Sequence, residues 1–178
     1  MEVRYLEIQE YLVKQAVLGD DMAFSEIYRC IYKDMYRYAY YMLGNEHDAE
    51  DTVSNAVMDI YIGLEKLRDY TLFKAWAFKI LSNKCKKRRK QYISKNVSID
   101  DENVGIHLKS KETDLEQKYD IENALNSLKY DEKAIVVLSS LEGYKSDEIG
   151  EILNMKPVTA RSKLKRALEK MQKKLKCS

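Results

Sequence analysis

One proline, six glycines, three cysteines and two histidines among 178 residues are few, and each scarcity removes a class of protein. With so few turn formers, and with apolar residues recurring at three- and four-residue steps and not at alternate positions, strand signals are nearly absent. The sequence predicts an all-α fold. Cys30, Cys85 and Cys177 are odd in number and far apart, so they make neither a disulfide framework nor a CxxC metal pair, and they imply a reducing compartment. His47 and His107 stand apart from any ligand-spaced partner, and the chain has no phosphate-cradling glycine loop and no nucleophile–base arrangement. No catalytic residue, metal or cofactor is expected, which argues against an enzyme. The longest strongly apolar stretch, Ala134 to Leu138, is far too short to span a bilayer, and Met1-Glu2-Val3-Arg4 opens no apolar run. A cytoplasmic protein without membrane insertion is expected.

The net charge of +2 conceals an asymmetry. Residues 1–83 carry nine Lys/Arg and fourteen Asp/Glu, a net of −5, whereas residues 84–178 carry twenty-two and fifteen, a net of +7. Such halves suit two different partners, a nucleic acid for the basic one and a protein for the acidic one. Two small helical domains joined by a flexible linker fit the length: residues 1–93, a polar and mildly acidic linker over 94–116 where the periodicity fails, and residues 117–178.

In the first domain, helices are expected from about Tyr5 to Val17, Met22 to Met42, Asn45 to Leu67 and Leu72 to Tyr92. The second places Phe24, Tyr28, Tyr32, Tyr36 and Tyr40 at successive four-residue steps, read here as its packing face. Asn45 is a good N-cap, followed by Glu46 and Asp48 in the first turn, where acids are favoured by the helix dipole and need no metal to explain them. The fourth helix buries Phe73, Trp76, Ala77, Ile80 and Leu81 and closes in the basic run Lys84 to Lys90.

The most informative segment is Leu141 to Met171. A turn at Gly143 leads to a short helix with Ile149, Ile152 and Leu153 on one face. A tight turn follows at Asn154, and Pro157 then opens a longer helix whose apolar face is Ala160, Leu164, Ala167, Leu168 and Met171. Proline suits the first helical position and asparagine tolerates the left-handed conformation, so the punctuation is that of a helix-turn-helix. From Lys156 to Lys176 nine Lys/Arg face a single acid, Glu169. A second helix of this kind lays its N-terminal part in the major groove while its cations neutralise phosphates. The segment reads as a DNA reader.

Taken in order, these landmarks resemble the bacterial RNA polymerase sigma factors of the sigma-70 family, in the compact extracytoplasmic-function group. The resemblance rests in the first half on Gly19-Asp20, Ala23-Phe24, Leu43-Gly44, Asp48-Ala49-Glu50-Asp51, Phe73-Lys74-Ala75-Trp76 and Asn83. In the second half it rests on Glu142-Gly143-Tyr144, Glu148-Ile149, Glu151-Ile152-Leu153, Thr159 and Arg166-Ala167.

The resemblance implies a promoter-melting domain, sigma region 2, over 1–93 and a promoter-recognition domain, sigma region 4, over 117–178. It implies binding to core RNA polymerase through Asp48, Asp51, Ser54, Asn55 and Asp59, and capture of a flipped base of the downstream element by the loop holding Leu67, Arg68 and Tyr70 with Trp76 and Asn83. A base leaves the stack at a cost of about a few kcal/mol, so a protein pocket must hold it. Lys84, Lys87 and Arg88 would grip phosphates beside it. Lys156, Thr159, Arg161, Ser162, Lys165 and Arg166 would read the upstream element. The implied partners are core RNA polymerase, promoter DNA and an anti-sigma factor.

The chain also departs from the family pattern: Ser54 for a usual Gln, Val57 for a usual Phe, Leu67 at an often aromatic position, and Lys145 and Lys156 for usual Ser caps, with Ser146 offering a cap one residue later. Rival readings are a free-standing helix-turn-helix regulator, which would leave the acidic half unexplained, and a sigma-like adaptor that no longer initiates transcription.

Overall fold

A computed structural model describes residues 2–95 and 115–176; the body of the expected linker, with His107, and also Cys177 lie outside them. The described chain is helical, with no strand. α1 (Glu2–Val17) ends at Gly19, whose φ of +96° few other residues tolerate. Asp20 then caps α2 (Asp21–Leu43), its carboxylate accepting from the backbone N–H groups of Met22 and Ala23 at 2.9 and 3.1 Å. Asn45 caps α3 (Glu46–Gly63) as expected, accepting from the Asp48 N–H at 3.0 Å. Two 3-10 turns, Leu64–Lys66 and Tyr70–Leu72, lead into α4 (Phe73–Lys95), and α5 (Leu115–Asn126) and α6 (Tyr130–Ser140) follow. The helix-turn-helix is α7 (Ser146–Leu153) and α8 (Pro157–Lys176).

The α7–α8 turn is built as the sequence suggested, with Asn154 left-handed at φ 53° and Pro157 at the first position of α8. Two details differ. Ser146 does not take the cap of α7: Lys145 stands there, its backbone N–H donating to Glu148 Oε2 at 2.8 Å, so a glutamate three residues on replaces the missing serine. Leu168 is not on the buried face; it is exposed, while Ala160 and Ala167 are buried. Gly150, unnoticed in the sequence, is required by the turn, because a Cβ there would stand 2.8 Å from the Met155 carbonyl oxygen.

The tyrosine row of α2 corrects the sequence reading. The buried face of α2 is Ala23, Ile27, Ile31, Met35, Tyr38, Ala39 and Met42. Tyr28, Tyr32, Tyr36 and Tyr40 form a ladder along its rim, with successive ring centroids 5.3, 6.2 and 6.1 Å apart, and Tyr32 is exposed. A four-residue step overshoots a 3.6-residue turn by about 40°, so a strict i+4 row spirals off the face where it began. The true core alternates steps of three and four.

α4 is the axis of the molecule. Toward α3 it presents Lys84 and Arg88, and toward the C-terminal helices Lys74, Phe78 and Arg89; Asn83, Lys86, Lys87 and Lys90 face solvent. The Phe78 ring lies between Tyr38 of α2 (5.8 Å) and Tyr144 (5.2 Å), so one core runs through both halves. The two parts expected as separate domains therefore pack on each other, α4 against α7 and α2 against α6.

Candidate nucleic-acid interface

The outer face of α8 is the simplest surface on the molecule. Lys156, Arg161, Ser162, Lys165 and Arg166 are exposed and Thr159 is half-buried. Lys163 and Lys170, on the flanks, are drawn back to α6 by Asp131 (3.5 Å) and Glu132 (2.6 Å). Among the described residues no carboxylate pairs with Lys156, Arg161, Lys165 or Arg166. These cations lie at the start and along the first half of the second helix, on its solvent side, a placement suited to entering a major groove. Val158 was missed in the sequence. It is 73% exposed in the first turn of α8, an apolar side chain amid polar ones, suited to contact with a thymine methyl.

α4 arranges its bases differently. Lys84 Nζ lies 2.6 Å from Asp59 Oδ2, and the Arg88 guanidinium donates to Asp48 Oδ1 at 3.2 and 2.7 Å. The second oxygen of Asp48 accepts from the Tyr92 hydroxyl at 2.6 Å. Asp48 and Arg88, expected on a polymerase surface and a DNA surface respectively, thus face each other, with Asp48 buried. Burial opposes the charge of Asp48, but the hydrogen bonds from Tyr92 and Arg88 outweigh it and hold this carboxyl below the usual carboxylate range. Asn83 and Lys87 remain exposed. In the preceding loop Leu67 and Tyr70 lean on the core and Arg68 is exposed. Asp69 fixes the loop by accepting from the N–H (3.0 Å) and hydroxyl (2.6 Å) of Thr71. Trp76 is half-buried, its ring over Gly63, where a Cβ would come within 3.2 Å.

On α3, Ser54, Asn55 and Asp59 are exposed and Asp51 half-exposed, along one side. Beside them stand two apolar residues that sequence reasoning passed over, Met58 (61% exposed) and Ile62 (68%). Tyr61 adjoins them, held against Phe24 (4.9 Å) with its hydroxyl on Asp21 (2.7 Å). An apolar centre rimmed by polar groups is the anatomy of a protein-binding surface. Exposed methionine and isoleucine at i and i+4 were the available signal.

Both halves of the chain match family models. Residues 27–92 match sigma-70 region 2, and residues 118–171 match sigma-70 region 4. The RNA polymerase sigma factor SigV of Bacillus subtilis is 31% identical over 144 residues, 79% of this chain and 83% of that protein. The chain belongs to the sigma-70 family, in its extracytoplasmic-function (ECF) group. The ECF RNA polymerase sigma factor SigW of Bacillus subtilis is 28% identical over 177 residues, covering 92% of this chain and 94% of the relative. The fold agrees. CnrH, solved in complex with the cytosolic domain of CnrY, superposes with a TM-score of 0.73 at 17% identity, covering 96% of this sigma factor and 99% of CnrH. The sigma factor RpoE, solved with the anti-sigma factor NepR from Bartonella quintana, gives 0.71 at 22% identity over 86% and 96%. Members of this family are transcription regulators and not enzymes, and no described helix is long and apolar enough to cross a membrane.

Proposed function

We propose that this sigma factor binds core RNA polymerase in the cytoplasm and directs it to promoters, reading the upstream element with α8 and the downstream element with the loop before α4, and that an anti-sigma factor restrains it. The observation that carries the DNA-reading half is the outer face of α8, where Lys156, Arg161, Lys165 and Arg166 have no carboxylate partner among the described residues and so are available to phosphates and base edges. Residues 1–93 serve the polymerase and the melted strand, and residues 117–178 the upstream duplex. On α3, Asp51, Ser54, Asn55 and Asp59 form the polar rim of the polymerase surface, and Met58 and Ile62 supply its apolar centre. Asp48 is a positioning residue in this scheme, since its oxygens are occupied by Arg88 and Tyr92. On α4, Asn83 and Lys87 face the DNA. Leu67, Arg68, Tyr70 and Trp76 frame the base pocket, with Lys84 and Arg88 behind. Thr159 and Ser162 complete the upstream reader. No bond is hydrolysed; melting is driven by binding energy.

The test is run-off transcription with purified bacterial core polymerase on a library of randomised promoters, with and without this protein. Enrichment of templates that share two spaced elements is the expected result. Retained duplex binding with no polymerase-dependent enrichment would reject initiation and leave a free-standing regulator or an adaptor.

A further inference from the structure

From the placement of the methionines, we infer that Met58 and Met22 form an oxidation site, and that oxygen transfer to their sulfurs weakens the hold of this sigma factor on core polymerase. The consequence for polymerase rests on the function proposed above; the site itself rests on exposure and chemistry. The fold sorts the described methionines sharply. Met35 and Met42 of α2 are sealed in the core, at 0% and 2% exposure, and Met155 and Met171 are half-buried against it. Met58 and Met22 stand 61% and 73% exposed. These two are not scattered. Met58 lies one turn before Ile62 on α3 and three residues before Tyr61, whose hydroxyl donates at 2.7 Å to Asp21, the residue next to Met22. The Tyr61 ring, 4.9 Å from Phe24, joins the start of α2 to the C-terminal part of α3. Both thioethers therefore stand near Tyr61, on the side of the molecule whose apolar centre is Met58 and Ile62.

A thioether needs only access to react with a peroxide. The sulfur lone pair attacks one peroxide oxygen, an S–O bond forms as the O–O bond breaks, and the departing hydroxide leaves as water with the proton of the transferred oxygen. Sulfur loses two electrons and the peroxide gains them. The product replaces a flexible apolar tip by a polar, chiral sulfoxide. Exposed in water, that oxygen is solvated and the fold is undisturbed. Pressed into an interface, it must find a hydrogen-bond donor, and at Met58 the flanking Asp59 carboxylate is an acceptor only. An unsatisfied oxygen there should weaken docking by about tenfold or more. Docking in turn covers Met58, so oxidation and polymerase binding oppose each other. The change is reversible, because methionine sulfoxide reductases regenerate the thioether at the expense of thiols.

The full-length protein is treated with hydrogen peroxide, then with dithiothreitol to restore the exposed thiol of Cys30, and sulfoxide is mapped over time by peptide mass spectrometry. Met22 and Met58 are expected to convert first, well ahead of Met35 and Met42, with helicity by circular dichroism unchanged. Affinity for purified bacterial core polymerase is expected to fall by about tenfold and to return after treatment with the two reductases, one for each sulfoxide epimer. Core polymerase added before the peroxide is expected to shield Met58. In Met58→Leu the readout is the ratio of oxidised to untreated affinity, so the variant's own starting affinity does not enter; that ratio should move most of the way to one, and Met22→Leu in addition should remove the remainder. Conversion of Met35 and Met42 as fast as Met22 and Met58 would overturn the site. Unchanged affinity after full conversion at Met58, a loss that the reductases do not reverse, or a double variant as sensitive as wild type would overturn its effect on binding. Untreated protein that fails to bind core polymerase would reject the proposed function and the effect on binding together, while the order of oxidation would still decide the site.

Discussion

α4 and α8 carry basic runs of similar density, yet they differ in what surrounds each base. On α4, Lys84 and Arg88 are paired with Asp59 and Asp48 of α3, and Arg89 with the Tyr130 ring. On α8 the flanking lysines are tied to α6, but among the described residues no carboxylate pairs with the outward row, where Arg166 Nε donates only to the Ser162 carbonyl at 3.3 Å. The charges of α4 therefore serve the fold first and leave Asn83, Lys86, Lys87 and Lys90 for a ligand, whereas the outer charges of α8 contribute little to the fold. A basic stretch is open to an anionic ligand to the extent that no acid of the same protein has claimed it.

The comparison is broken most forcefully by removing the row on α8. Arg161→Ala, Lys165→Ala and Arg166→Ala together should reduce use of an upstream element by roughly a hundredfold or more, given about 1–3 kcal/mol for a good base pairing and a salt slope that falls by about one for each phosphate no longer neutralised. Thermal stability and polymerase binding should be unchanged. Filter binding over a salt series and polymerase pull-down measure these, and a large drop in melting temperature would show the row to be structural after all.

On α4 the opposite outcome is expected. Arg88→Met leaves the buried Asp48 carboxylate without its cation, and should lower unfolding free energy by about 2–4 kcal/mol in urea titrations. The defect is pH-dependent with a definite sign. Because Asp48 titrates in the folded state below its unfolded value of 3.8, its stabilisation is complete at neutral pH and is lost as the pH falls through that value and below. The gap between wild type and Arg88→Met should close over the same range.

Lys133 sharpens the contrast from within the C-terminal part. It is buried on α6 with one neutral partner, Asn126 Oδ1 at 2.7 Å. Burial, reinforced by the charge of Arg89, pushes its ammonium down to about 8. Its folded-state value lies below the unfolded 10.5, so the charged form weakens the fold at neutral pH and stability recovers as the pH rises from 8 toward 10.5. Lys133→Met should raise stability at pH 7 by about 1–3 kcal/mol, and the wild-type deficit should shrink at high pH.

The smallest effect belongs to Val158→Ala. It should reduce discrimination at a single thymine of the upstream element by about fivefold, equivalent to about 1 kcal/mol. Replacing that thymine by uracil, which lacks the methyl group, should reproduce the loss in wild type and add nothing in the variant.

Local chemistry made much of this architecture readable. Asn45, Gly44, Asn154 and Pro157 act at the positions their backbone preferences dictate, and the helix-turn-helix followed from them. The tyrosine row misled because four-residue spacing resembles a packing face for two turns and then drifts away from it. The pairing of Arg88 with Asp48 and of Lys84 with Asp59 depends on how α3 and α4 register, which no local pattern encodes. Glu142 carried no signal of burial at all, since its partner is Arg37, 105 residues away.

Trp76, the single tryptophan among fourteen tyrosines, sits with its ring against Gly63 at the joint between α3 and α4. The protein thus contains its own optical gauge. Indole emission shifts to longer wavelength in water, so any event that lifts α4 from Gly63, whether a captured base or a docking partner, should be visible as a colour change in the unlabelled protein.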